Sequence, residues 1–149
     1  MATASQGLKG EWTYRSFVND PDSVGDDPQA ALNLIFGEGE LTIAAADRGG
    51  FRAALSFGGK AVMDLVGSFT PAGRGGPATV AARGTGRRGS GIEDYVYDYI
   101  FFAVPPWQDG VDQRQALVGT VMRAADHGTA KKGYVASTIT VRRGSAPTR

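Results

Sequence analysis

Apolar and polar residues alternate one by one through most of this chain, in short segments broken by glycine-rich turns. Alternation with period two puts every other side chain on one face of an extended strand, whereas a helix repeats its apolar residues every three or four positions. Helical spacing is almost absent. In Gly10–Asn19, Trp12, Tyr14 and Val18 share a face. In Ala31–Asp47, Leu32, Leu34 and Phe36 alternate, Gly37-Glu38-Gly39 intervenes, and Leu41, Ile43 and Ala45 alternate again. That stretch reads either as one long strand with a glycine bulge or as two strands.

Asp47-Arg48-Gly49-Gly50 is a hairpin turn, followed by the alternating Phe51, Ala53, Leu55 and Phe57. Gly58-Gly59 then turns the chain into Ala61–Thr70, and a Pro/Gly-rich loop leads to a weak fifth segment, Ala78–Arg83. Tyr95–Val104 is the strongest strand, ended by Pro105; Leu117–Arg123 and Tyr134–Arg143 complete the set. Tight turns between successive strands imply antiparallel neighbours. An even number can close with the last beside the first, which removes exposed edges. The expectation is an all-β, up-and-down antiparallel barrel of about eight strands. If Ala31–Asp47 is a hairpin the count becomes nine, and an open or two-sheet sandwich gains ground.

At 149 residues and 42% hydrophobic content, the chain makes one domain able to bury its own core. The barrel is expected over about residues 8–143, with a frayed tail at 144–149. Sixteen basic against fifteen acidic residues leave a net charge of +1, which gives no field to draw nucleic acid or an anionic membrane. The absence of cysteine removes disulfides, thiolate nucleophiles and thiolate metal sites. The N-terminal residues lack the charged start and apolar core of a signal peptide, and no apolar run approaches the roughly 20 residues of a membrane span. A cytoplasmic location is expected. No motif calls for a cofactor or a metal.

Gly10-Glu11-Trp12 at the start of the first strand, with Arg142 or Arg143 at the end of the last, resembles the calycin superfamily of lipocalins, fatty-acid-binding proteins and avidins. The resemblance implies a barrel in which Trp12 closes one end of the core and a basic side chain, assigned to Arg143, packs across its ring. It implies no particular ligand, since the fatty-acid-binding arginine–tyrosine set has no counterpart residue by residue.

Tyr95, Tyr97, Tyr99 and Phe101 share one face of their strand, and facing inward they would line a cavity for a flat or aromatic molecule. Packed as core, or covered by a neighbouring subunit, they would bind nothing. Val96, Ile100 and Phe102 make the opposite face apolar as well, and a strand apolar on both faces predicts a covering partner, most cheaply a second copy in a homodimer or higher homo-oligomer. Were that face inward, Asp64, Asp94 or Asp98 would supply a buried general acid or base; on the surface they are solvated or ion-paired. His127, the only histidine, reads as a loop residue, and the adjacent Asp126 points away from it. Gly84–Gly91 carries two arginines but neither the lysine nor the helix of a phosphate loop, so it reads as a hairpin loop. Trp107, in a polar loop, either plugs a barrel end or touches a ligand.

Three functions follow. The first is a barrel binding a small apolar or aromatic ligand through Tyr95, Tyr97, Tyr99, Phe101 and Trp107, gated by Trp107 and the mobile loop Asp20–Gln29. The second is an enzyme of cyclase or isomerase type using Tyr97, Tyr99, Asp98 or Asp64. The third is a packed structural or interaction module. A cavity of a few hundred Å³ opposes the third, and a strongly shifted phenol or carboxylate inside it would favour the second.

Overall fold

The computed structural model describes residues 7–105, 109 and 113–144. Eight strands follow in chain order: β1 (Gly10–Phe17), β2 (Ile35–Asp47), β3 (Gly50–Phe57), β4 (Lys60–Thr70), β5 (Thr79–Gly86), β6 (Val96–Ala103), β7 (Ala116–Arg123) and β8 (Val135–Val141). Each pairs antiparallel with the next, and β8 returns to β1 with Arg15 opposite Ile139 and Ser16 opposite Thr138, closing an up-and-down barrel. The weak fifth segment is a full strand that extends through Gly86, taking in the first glycines assigned to a loop.

Ala31–Asp47 is not a hairpin. The strand begins at Ile35, and Pro28–Asn33 forms a 3-10 turn, so the alternation at Leu32 falls outside the sheet. Proline locks φ near the helical value, which favours such a turn where the chain leaves Pro28. A second proline does the same for the short helix α1 (Pro21–Val24) within the segment read as a loop.

The bulges lie elsewhere than at the glycines. Ser16 opposes Gly37 while Phe17 opposes Ile35, which leaves Phe36 as the extra residue on β2. By the same count Ala44 is extra on β2 and Val62 on β4. Each bulge tightens the local twist and re-aims a side chain.

Tyr97, Tyr99 and Phe101 face the interior, while Asp98, Ile100 and Phe102 face out. Inside, the barrel is packed by size. On β5 the inward positions run Val80, Ala82, Gly84, opposite Phe101, Tyr99 and Tyr97. On β2 they run Ile43, Leu41, Gly39, Gly37, with Leu41 opposite Trp12 and Gly39 opposite Tyr14. Bulk therefore falls along both strands toward the same end. At the bulky end Trp12, Leu41, Phe51, Phe101 and Leu117 are all buried, and the Trp12 indole N–H donates to Leu8 O at 2.9 Å.

The cation across Trp12 is Arg142, not Arg143: its guanidinium carbon stands 4.6 Å from the ring centroid. Strand alternation is the reason, because consecutive side chains point to opposite faces. Arg142 turns over the barrel end and donates to Lys9 O at 2.9 Å, whereas Arg143 turns outward to Glu40 at 2.7 Å.

Candidate functional site

The end opposite Trp12 is open. There the interior holds a cavity of about 340 Å³ whose walls include Tyr14, Tyr95, Tyr97 and Tyr99. Four of the chain's five tyrosines thus surround one space, and the fifth, Tyr134, stands at its rim.

Here β2 and β5 carry glycine, which lets the neighbouring side chains lie back against the strands. Gly37 forms part of the cavity wall itself. A Cβ at Gly84 would stand 2.7 Å from Met63 Sδ and 2.9 Å from a Tyr99 ring carbon, so only glycine lets those side chains lie against β5. The bulges contribute too: Phe36 and Val62, the extra residues on β2 and β4, both line the cavity.

Tyr14 and Tyr99 are the deepest phenols, packed edge to face with centroids 6.3 Å apart. Burial pushes the Tyr14 pKa up to about 12, with the neighbouring Ser16 and Tyr99 hydroxyls pulling partly the other way. Burial likewise raises Tyr99, reinforced by the Tyr14 phenol, and the Tyr99 hydroxyl donates to Met63 Sδ at 3.4 Å. Both are therefore neutral phenols at physiological pH, polar donors in an apolar wall rather than bases.

Nearer the mouth stands a cluster that chain order hides. The His127 ring stacks on Tyr95, with centroids 3.6 Å apart and planes 18° apart. Its Nε2 lies 3.1 Å from the Tyr97 hydroxyl, at hydrogen-bonding distance. Asp126 takes no part; it accepts from the Lys132 amide at 2.7 Å and faces Lys131. Arg123, the last residue of β7, joins the wall, stacks 5.3 Å from the Tyr134 centroid and donates to Lys131 O at 3.0 Å. Its Nε is buried with no partner, a position that costs about 1–3 kcal/mol when left unsatisfied.

Tyr134 straps the rim. Its hydroxyl accepts from the Asn19 amide at 3.0 Å, and its ring meets Phe36 at 6.1 Å. The segment between β1 and β2 is thereby tied to the segment between β7 and β8 across the mouth.

Other expected site residues fall elsewhere. Phe101 is fully buried among the bulky core residues and does not reach the cavity wall. Asp98 and Asp64 face outward, paired with Arg83 at 2.8 Å and Arg87 at 2.7 Å, so neither is a buried acid or base. Arg87 belongs to the glycine-rich loop, whose side chain thus serves an ion pair. Trp107 lies outside the described residues. Phe36, Val62, Arg123 and His127 were not anticipated as lining residues. The inward alternation of β7 could have found Arg123, while the bulges and the loop course have no local signal.

Among the described residues no group of three or more histidine or carboxylate side chains is arranged to hold a metal, and no helix is long and apolar enough to cross a membrane. No protein-family model, no curated protein and no solved structure matches the chain, so the geometry of the cavity is what its function must be read from.

Proposed function

We propose that this protein is a calycin-type barrel that holds one small, largely apolar or aromatic molecule in its open end. The observation that carries the reading is the cavity itself, about 340 Å³ and walled by four tyrosines among aliphatic and aromatic neighbours. That size falls in the range of small-molecule sites, and it counts against a packed module. At about 30 Å³ per liquid water, it has room for a molecule of one or two rings. Gly10 and Trp12 with Arg142 across the indole support the calycin relation.

Exposed apolar side chains also line up across the outside of β6, β7 and β8, where Phe102, Val118 and Ile139 are register partners and Ile100 stands beside them. This stripe supports a homo-oligomer built over that face.

Native mass spectrometry of the protein purified from cells, compared with the denatured spectrum, tests both statements. A dimer or larger assembly carrying mass that denaturation releases is the expected result. A monomer removes the oligomer. A protein that carries no small molecule and gains none from a panel of one- and two-ring compounds removes the binding reading.

A second reading, an isomerase or cyclase, has one specific observation in its favour: the Tyr97–His127 contact inside the cavity, a phenol and an imidazole able to share a proton. The phenol shifts do not add to it. Tyr14 and Tyr99 move upward, away from the range in which a phenol acts as a base. Turnover of a bound compound, abolished by His127→Ala and Tyr97→Phe with binding retained, would establish the enzyme over the carrier.

A further inference from the structure

We propose that the bound molecule carries a single negative charge on its aromatic body, and that Arg123 receives that charge at the cavity mouth. The inference rests on the binding reading above and narrows its ligand class.

Four observations converge. Arg123 lines the cavity, and its Nε is buried without a partner. No carboxylate belongs to the cavity wall, and Arg123 has no ion-pair partner among the described residues. Five other arginines around the barrel are differently employed: Arg15, Arg83, Arg87 and Arg143 each hold a carboxylate, and Arg142 caps Trp12. Finally, Arg123 is held in place by the Tyr134 ring and Lys131 O, so its guanidinium is oriented before any ligand arrives.

A guanidinium that lines an apolar cavity without a carboxylate partner is unfavourable unless an anion completes it. An anionic oxygen is the complement of a guanidinium, because the charge-assisted bond is about twice as strong as a neutral one. Water alone could satisfy one N–H, yet it would leave the positive charge beside an apolar wall. The Tyr97–His127 pair lies in the same cavity and offers further polar contact to the same head group. The ligand that fits is an aromatic acid whose rings lie among Tyr14, Tyr97 and Tyr99 and whose acid group sits at the rim.

A matched pair of two-ring probes tests this: 2-naphthalenesulfonate, which is anionic, and its neutral parent naphthalene. Both are titrated into the full chain and into Arg123→Met and Arg123→Lys variants. Wild type is expected to bind the anion at least as tightly as the neutral parent. Arg123→Met is expected to weaken the anion by about tenfold or more while leaving the neutral probe within about twofold. Arg123→Lys, which keeps the charge, is expected to recover part of the loss. The neutral probe also reports that each variant has folded. Should Arg123→Met fail to fold, the wild-type comparison decides: an anion bound about tenfold more weakly than its parent overturns the proposal. Equal loss of both probes in Arg123→Met, or no loss of the anion, overturns it too, with the binding reading intact. If neither probe binds wild type in the cavity, the binding reading falls and takes this one with it.

Discussion

The two ends of this barrel are built from the same strands by the same alternation, yet one is sealed and the other hollow. At the sealed end β2 and β5 present Leu41, Ile43 and Val80 to Trp12, Phe51 and Phe101, and all six side chains are buried. At the hollow end the same two strands present Gly37, Gly39 and Gly84, opposite Ser16, Tyr14 and Tyr97, all three of which line the cavity. The ends also differ in how they spend their arginines. Arg142 covers a ring and donates to backbone carbonyls, completing a lid. Arg123 covers a ring and donates to a carbonyl, yet keeps a buried N–H with no partner. A closed barrel thus separates packing from open space by length along its axis: one end carries the core, and the other holds the cavity.

The largest test of that division is truncation at each end. Trp12→Ala should cost ~3–5 kcal/mol in a denaturant titration, while Tyr95→Ala, at the half-open mouth, should cost about 1 kcal/mol or less. Equal costs would mean that the open end carries as much of the fold as the sealed one.

Alkaline pH should act next, and on the hollow end alone. The Tyr14 pKa lies at about 12 in the folded chain against an ordinary 10.0. A phenol whose pKa is raised by folding contributes stability that is full below pH ~10 and is lost as pH rises through its folded value. Stability should therefore fall by about 2–3 kcal/mol across that window from Tyr14, with Tyr99 acting in the same direction. Denaturation midpoints measured against pH should show a shallower fall in Tyr14→Phe. An unchanged slope would mean that Tyr14 is solvated in solution.

The arginine pair at the end of β8 sharpens the comparison further. Arg142→Met should cost ~1–2 kcal/mol through the lost ring and carbonyl contacts. Arg143→Met should cost well under ~1 kcal/mol, because its Glu40 partner and it are both exposed. The reverse ranking would restore Arg143 as the residue that closes the barrel.

The smallest effect belongs to the outer carboxylates. Asp64→Asn and Asp98→Asn should each change stability by less than ~1 kcal/mol and leave ligand retention unchanged in native spectra. A variant that loses its ligand would connect the outer face to the cavity.

The strand order was legible because alternation and turn residues are local properties. Phe51, Ala53 and Leu55 announce β3 by themselves, and Asp47–Gly50 announces its turn. Part of the site was legible for the same reason: once Tyr97 and Tyr99 face inward, strand spacing puts them on one wall, and Tyr95, just ahead of β6, joins them. Phe101 shows the limit of that logic, because a shared face says nothing of depth along the barrel axis. Arg142 and Arg143 could not be separated without knowing which of two alternating positions turned over the end.

From the sequence alone came the period-two pattern, the turn positions and a run of antiparallel strands able to close. These depend only on neighbours along the chain, where backbone geometry dictates which side chains share a face. The tertiary structure decided which face of β6 turned inward, at which residues the register slipped to bring Phe36 and Val62 to the cavity, and that His127 would stack on Tyr95. Those outcomes are set by contacts between residues far apart in sequence. Closing the barrel satisfies all of its strand pairings together, and no single segment encodes that condition.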